Sequence, residues 1–229
     1  MHGSKKVYIT VIIIMAAAAV FTLVRNLILK DWYHAFLGGA SLIFLFANPV
    51  IERVCKIRLG YRLGTFFLAF YFLGFELGTA EKLFFRFWLP PFTLHGQVLN
   101  ISIYDKIIHI ISGVLLTLFG LCMYKRLNNK PTSRTENIAL QIFFAFSFSM
   151  CLAVVWEIFE FLEFVAIAHD AQQHLTTGVF DTMLDLICGL LGSVVMSVSF
   201  LLYAKKGIRT PLTKTLEYCD NANEKDLKE

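Results

Sequence analysis

Two segments decide the fold: ISIYDKIIHIISGVLLTLFGLCMYK (101–125) and FDTMLDLICGLLGSVVMSVSFLLYAKK (180–206). Each is an apolar run ending in lysine, with acids confined to its first turns. A helix rises 1.5 Å per residue, so about 20 apolar residues cross a bilayer core of about 30 Å. Both segments have that length. Lipid satisfies no backbone groups, which makes helices the expected form.

Four further blocks have the same character. The predicted spans are about 7–27, 32–51, 61–80, 101–124, 138–163 and 180–203, followed by a polar tail over 205–229 that need not fold. Composition agrees: of 229 residues 57% are hydrophobic, 17% are charged and 23 are Phe, and the mean hydropathy is +0.63. A soluble domain could not bury that much apolar surface, and a disordered chain would not carry it. The expected fold is an all-α integral membrane protein, a bundle of six transmembrane helices. The first block follows Lys5 and Lys6 and reaches Ala16–Ala19, as a signal peptide does. Its apolar run continues through Val24, so an uncleaved span is expected.

Lysine and arginine orient the bundle. Lys5, Lys6, Arg53, Lys56, Arg58, Arg62, Lys125, Arg126, Lys130, Arg134, Lys205, Lys206, Arg209 and Lys214 flank the termini and the even-numbered connections. The odd-numbered connections hold Arg25, Lys30, Lys82 and Arg86 only. Both termini are therefore expected in the cytoplasm, the chain being multi-pass in the cytoplasmic membrane. The net charge of +4 sits at span ends and not on one face, so no nucleic-acid partner is expected. Five cysteines lack metal-ligand spacing and read as reduced thiols. FFRFWLPPF (84–92) reads as an interfacial aromatic segment on the outer side.

Charges inside spans are costly and mark function. Here they come in pairs on single helical faces: Asp105 with His109, Glu157 with Glu160, Asp181 with Asp185. Glu76 in GFELG is a further candidate. Asp105, Glu157 and Asp185 each lie about twenty residues from a basic span end, hence about 30 Å from the cytoplasmic boundary. A shared depth permits one site without making the helices neighbours. The bland alternative is helix capping: Ser102 and Asp105 form S-x-x-D, and Asp181 follows Thr176 and Thr177. Capping does not reach Glu157 or Glu160, which stand near a helix C-terminus where the dipole opposes them. Lys106 is the nearby cation, but it projects about 100° from Asp105 around the helix. His169, Asp170 and His174 read as solvent-exposed loop residues. Gly189 and Ser193 form a small-xxx-small pair that favours close packing with span four.

So many carboxylates beside one imidazole require shared protons or a compensating cation. The first suits acid–base chemistry or proton-coupled transport. The second suits a divalent metal, Mg, Mn or Zn, with His109, Glu157, Asp181 and Asp185 as candidate ligands.

DKIIH in one span, an acid pair in the next and D-x-x-x-D followed by GLLGS resemble the YjdF-like family of bacterial membrane proteins over roughly residues 100–200. More distantly the pattern is similar to the VanZ-like family, with its D-K-x-x-H, a Glu-bearing span and a final Asp-x-x-x-Asn-x-x-Gly helix. This chain has Asp185 at the Asn position and lacks the Arg that precedes the last Asp there. The VanZ resemblance implies a cell-envelope context. Three functions are open at this point. One is an enzyme on a lipid-linked or phosphorylated envelope substrate, with the six paired residues as catalytic candidates. The others are a proton- or cation-coupled transporter and a non-enzymatic scaffold or immunity-type protein.

Overall fold

The computed structural model describes residues 2–85, 87–94, 96–128, 137–172 and 174–226. Arg86, Lys130 and Arg134, used above for orientation, lie outside the described residues. Among those described, six helical spans are long and apolar enough to cross a membrane: Lys5–Ile28, Trp32–Cys55, Gly60–Ala80, Ile103–Leu127, Ile138–Ile167 and Phe180–Lys206. The all-α class and the six spans are as expected, and their outward faces are apolar. Phe21, Phe143, Phe159, Leu162 and Val195, for example, are exposed, which is how helices meet lipid.

Helix α1 (His2–Ile28) is continuous. The second span is not. It consists of α2 (Trp32–Ser41), a 3₁₀ stretch (Leu42–Phe46) and α3 (Ala47–Cys55). Pro49 explains the tightening, because its ring cannot accept the carbonyl four residues back and offers no N–H. Asp31 caps α2: its carboxylate accepts from His34 N–H at 3.3 Å. The His34 ring, with Nδ1 at 2.8 Å, holds that carboxyl below the usual range.

The third span begins as α4 (Gly60–Tyr71) and widens into a π-helical stretch, Phe72–Ala80, with Glu76 at its middle. Beyond it, Leu83–Phe85 form a 3₁₀ turn. Residues 87–89 run beside 101–103, with Leu89 N–H on Ile101 O and Ile103 N–H on Phe87 O, both 2.8 Å. A short antiparallel hairpin of β1 (Phe92–Leu94) and β2 (Gln97–Leu99) follows, Thr93 opposite Val98. Phe87, Trp88 and Leu89 are exposed.

Helices α5 (Ile103–Leu127), α6 (Ile138–Ile167) and α8 (Phe180–Lys206) each pack on the other two. A single turn, α7 (His174–Thr177), precedes α8. Below the first turns of α5 and α8 the two backbones touch. A methyl group on Gly113 would strike Gly189 O, and one on Gly192 would strike Ile110 O. Glycine's missing Cβ is what permits this approach.

The polar tail is a folded element. Residues Pro211–Asp226 form α9, which packs on α4, α5 and α8. Thr210 and Thr213 cap its start reciprocally, each hydroxyl accepting the other's N–H, with Pro211 at the first helical position. Leu216 and Cys219 are fully buried with Leu63, Leu121 and Phe200 in the core at this end. Lys125 pairs with Asp220, and Asn223 bonds both backbone groups of Arg58, accepting its N–H at 2.7 Å and donating to its carbonyl at 2.8 Å. A sequence that is polar on average thus folds because one face meets the bundle. All five cysteines are free thiols.

Candidate functional site

Ser102 caps α5: its hydroxyl accepts from Asp105 N–H at 3.4 Å. The S-x-x-D cap is real, yet it leaves the Asp105 carboxylate free for other partners. Because α5 and α8 run the same way and meet at their glycines, their opening turns lie side by side. The pair at 105 and 109 on α5 therefore faces the pair at 181 and 185 on α8.

The centre of the site is Lys106. Its ammonium donates to Asp105 Oδ2 at 2.8 Å, Asp181 Oδ1 at 2.6 Å and Asp185 Oδ1 at 2.7 Å. An ammonium has three N–H donors, and each finds a carboxylate. The angle of about 100° from Asp105 around one helix does not keep Lys106 out of the site. The four-carbon stem reaches across the interface to α8, whose two acids lie on one face. Lys106, Asp181 and Asp185 are all buried.

His109 lies one turn further in. Its Nε2 is 3.5 Å from Asp105 Oδ1 and 3.5 Å from Asp185 Oδ1. Ligand atoms of Asp105, His109 and Asp185 all fall within 4.8 Å of one another. Tight N–H···O bonds measure about 2.9–3.0 Å, so these separations are longer. They come close to the spacing of about 3.3 Å between neighbouring ligands around a tetrahedral metal with bonds of about 2.0 Å. Asp105, His109 and Asp185 are thus the residues that could hold a metal ion, with Asp185 Oδ1 shared with the Lys106 ammonium.

The remaining candidates surround these groups at greater distance. Glu157 on α6 is buried, and its Oε2 and backbone carbonyl accept from Gln172 Nε2 at 3.3 and 2.9 Å. Its Oε1 has no hydrogen-bond partner among the described residues. Glu160 is half-buried and accepts from Trp156 Nε1 at 2.8 Å. Gln172 was not singled out from the sequence: a glutamine in a polar loop carries no signal until the loop folds back onto α6.

Glu76 belongs elsewhere. The widened third span turns it toward α1, where Thr22 Oγ1 lies 2.7 Å from its Oε1. Thr22 Oγ1 also lies 2.6 Å from Glu81 Oε1, and Arg25 pairs with Glu81 at 2.6 Å. His169 and Asp170 likewise stand apart. His169 Nδ1 is 3.3 Å from Glu163 Oε1, and Asp170 accepts from Leu175 N–H at 3.0 Å. The His174 side chain lies outside the described residues.

Comparison with known proteins agrees with this architecture and leaves the chemistry open. A protein of Thermotoga maritima described as uncharacterized is 28% identical over 182 residues, covering 72% of this chain and 88% of the relative. No solved structure matches. The family described as "Predicted membrane protein (DUF2238)" matches residues 7–206, which take in the six spans except the first two residues of the first, and the whole acidic cluster. The chain therefore belongs to the DUF2238 family of membrane proteins, which is the YjdF-like family.

Proposed function

We propose that the protein is a metal-assisted enzyme of the cytoplasmic membrane, acting at the outer face on a lipid-linked or phosphorylated cell-envelope substrate. Both termini lie in the cytoplasm in this reading, and the acidic end of the bundle faces out, as the lysine and arginine distribution requires. The observation that carries the proposal is the convergence of Asp105, His109 and Asp185 beside a lysine already saturated by carboxylates. Three carboxylates against one ammonium leave two negative charges in a buried place. One divalent cation neutralises them, and otherwise two protons must.

Asp105, His109 and Asp185 would hold the ion, leaving a position open for water or substrate. A metal bound there would supply Lewis acidity toward a phosphoryl or carbonyl oxygen. Lys106 fixes Asp185 and Asp105 in place and keeps a positive charge beside the reacting centre. Asp181 orients Lys106 from the far side. Glu157, with Oε1 unengaged, can take or release a proton.

A transporter reading requires a route to the opposite face. The contact of the Gly113 and Gly192 backbones with α8 and α5 closes the direct path between those helices, which favours the enzyme reading. The test is the metal content of detergent-purified protein by mass spectrometry, comparing wild type with Asp185→Ala and His109→Ala, each checked by thermal melt. One divalent ion per chain, lost in both folded variants, is expected. A metal-free wild type after exposure to Mg, Mn and Zn would sink the proposal in favour of proton chemistry.

A further inference from the structure

We propose that the opposite, basic end of the bundle carries a second site, which binds the phosphate of an anionic phospholipid headgroup. A groove of about 250 Å³ is lined there by Arg62, Arg209, Lys214, Glu217 and Tyr218. Its sequence origins are separate: Arg62 comes from the first turn of α4, Arg209 from the link after α8, and the other three from α9.

The groove holds three cations and one carboxylate, and that carboxylate is engaged. Glu217 Oε1 accepts from Arg209 Nε at 3.1 Å. Arg62 is held over the Tyr218 ring, 5.2 Å from its centre, a cation–π contact that positions the guanidinium without neutralising it. Neither Arg62 nor Lys214 has an ion-pair partner among the described residues. An oriented guanidinium beside an exposed ammonium is a donor set that recognises phosphate.

Position selects the source. Arg62 opens the third span and Arg209 lies just beyond the sixth, so both stand at the membrane boundary. Tyr61 and Ile208, their neighbours in sequence, are exposed at the same level and offer acyl chains an apolar flank. By the lysine and arginine distribution this end faces the inner leaflet, whose anionic lipids attract such clusters. A headgroup seated here bridges α4 to α9 and ties the C-terminal helix to the bundle.

Native mass spectrometry of the full-length protein tests this, titrating phosphatidylglycerol, phosphatidylcholine with the same acyl chains, and inorganic phosphate as separate arms. Wild type is compared with Arg62→Gln/Lys214→Gln and with Lys5→Gln/Lys6→Gln, which removes equal charge elsewhere. One phosphatidylglycerol bound about tenfold more tightly than phosphatidylcholine is expected, the preference being lost in the first pair only. Equal affinity for the two lipids, or equal loss in both pairs, overturns the site. Binding of inorganic phosphate without lipid preference overturns the lipid as its source. If the Arg62 pair melts early, Lys214→Gln alone, at an exposed side chain, decides: unchanged preference there also overturns the site.

Discussion

The ammonium of Lys106 stands 2.7 Å from Asp185 Oδ1 although 79 positions separate them in the chain. With Asp105 and Asp181 at 2.8 and 2.6 Å, this lysine joins two transmembrane helices through one nitrogen. Lys106, Asp181 and Asp185 are buried, so the desolvation of each charge is offset only while the others stay in place.

Lys106→Met is therefore expected to destabilise the folded protein by about 3–5 kcal/mol, the cost of leaving carboxylates buried without their partner. Adding Asp181→Asn and Asp185→Asn should recover much of that loss. Thermal melts in detergent measure both, and an unchanged melt for Lys106→Met would show that the ion pairs do not support the fold.

Glycines one turn apart should behave differently. Gly113→Ala and Gly192→Ala place a methyl against the backbones of α8 and α5 respectively, where nothing flexible can yield. A loss of about 1–3 kcal/mol, or of folded yield, is expected for each. Gly189→Ala meets Ala153 Cβ at 3.8 Å and His109 O at 3.9 Å, both ordinary contacts, and should be tolerated. Equal effects at all three positions would contradict the close α5–α8 packing.

Asn223→Ala removes two of the hydrogen bonds that tie α9 to the Arg58 backbone, leaving the one from Cys219 Sγ to Arg58 O at 3.3 Å. Trypsin should then cut after Arg209 or Lys214 faster than in wild type, while the spans stay protected. Digestion in detergent micelles followed by mass analysis reads this out. Equal cleavage rates would mean that buried Leu216 and Cys219, with the Lys125–Asp220 pair, hold the helix without Asn223.

Much of the site was legible in the sequence, and the illegible part has a definite cause. Counting residues from basic span ends set Asp105 and Asp185 at one level, and their helices proved adjacent. The same count could not say that Glu76, also in the outer part of its span, faces Thr22 on α1. Depth is a property of one helix, whereas the direction a side chain faces depends on its neighbours. The widened π-helical stretch around Glu76 changes that direction without altering hydropathy. The role of Lys106 is hidden for a related reason: its angle from Asp105 is local, but its partners Asp181 and Asp185 are on another helix. In the tail, average polarity hid a buried face of Thr213, Leu216 and Cys219.

The sequence by itself determined the class, the number of spans and the residues that pay an insertion cost. In lipid every helix must satisfy its own backbone and match the bilayer thickness, so those features are written within each segment. Tertiary structure alone decided which charges meet. Lysine became the centre of the cluster, Glu76 left it, and the tail closed the basic end, because pairing depends on helix rotation and on close contacts such as Gly113 with Gly189 that no single span contains.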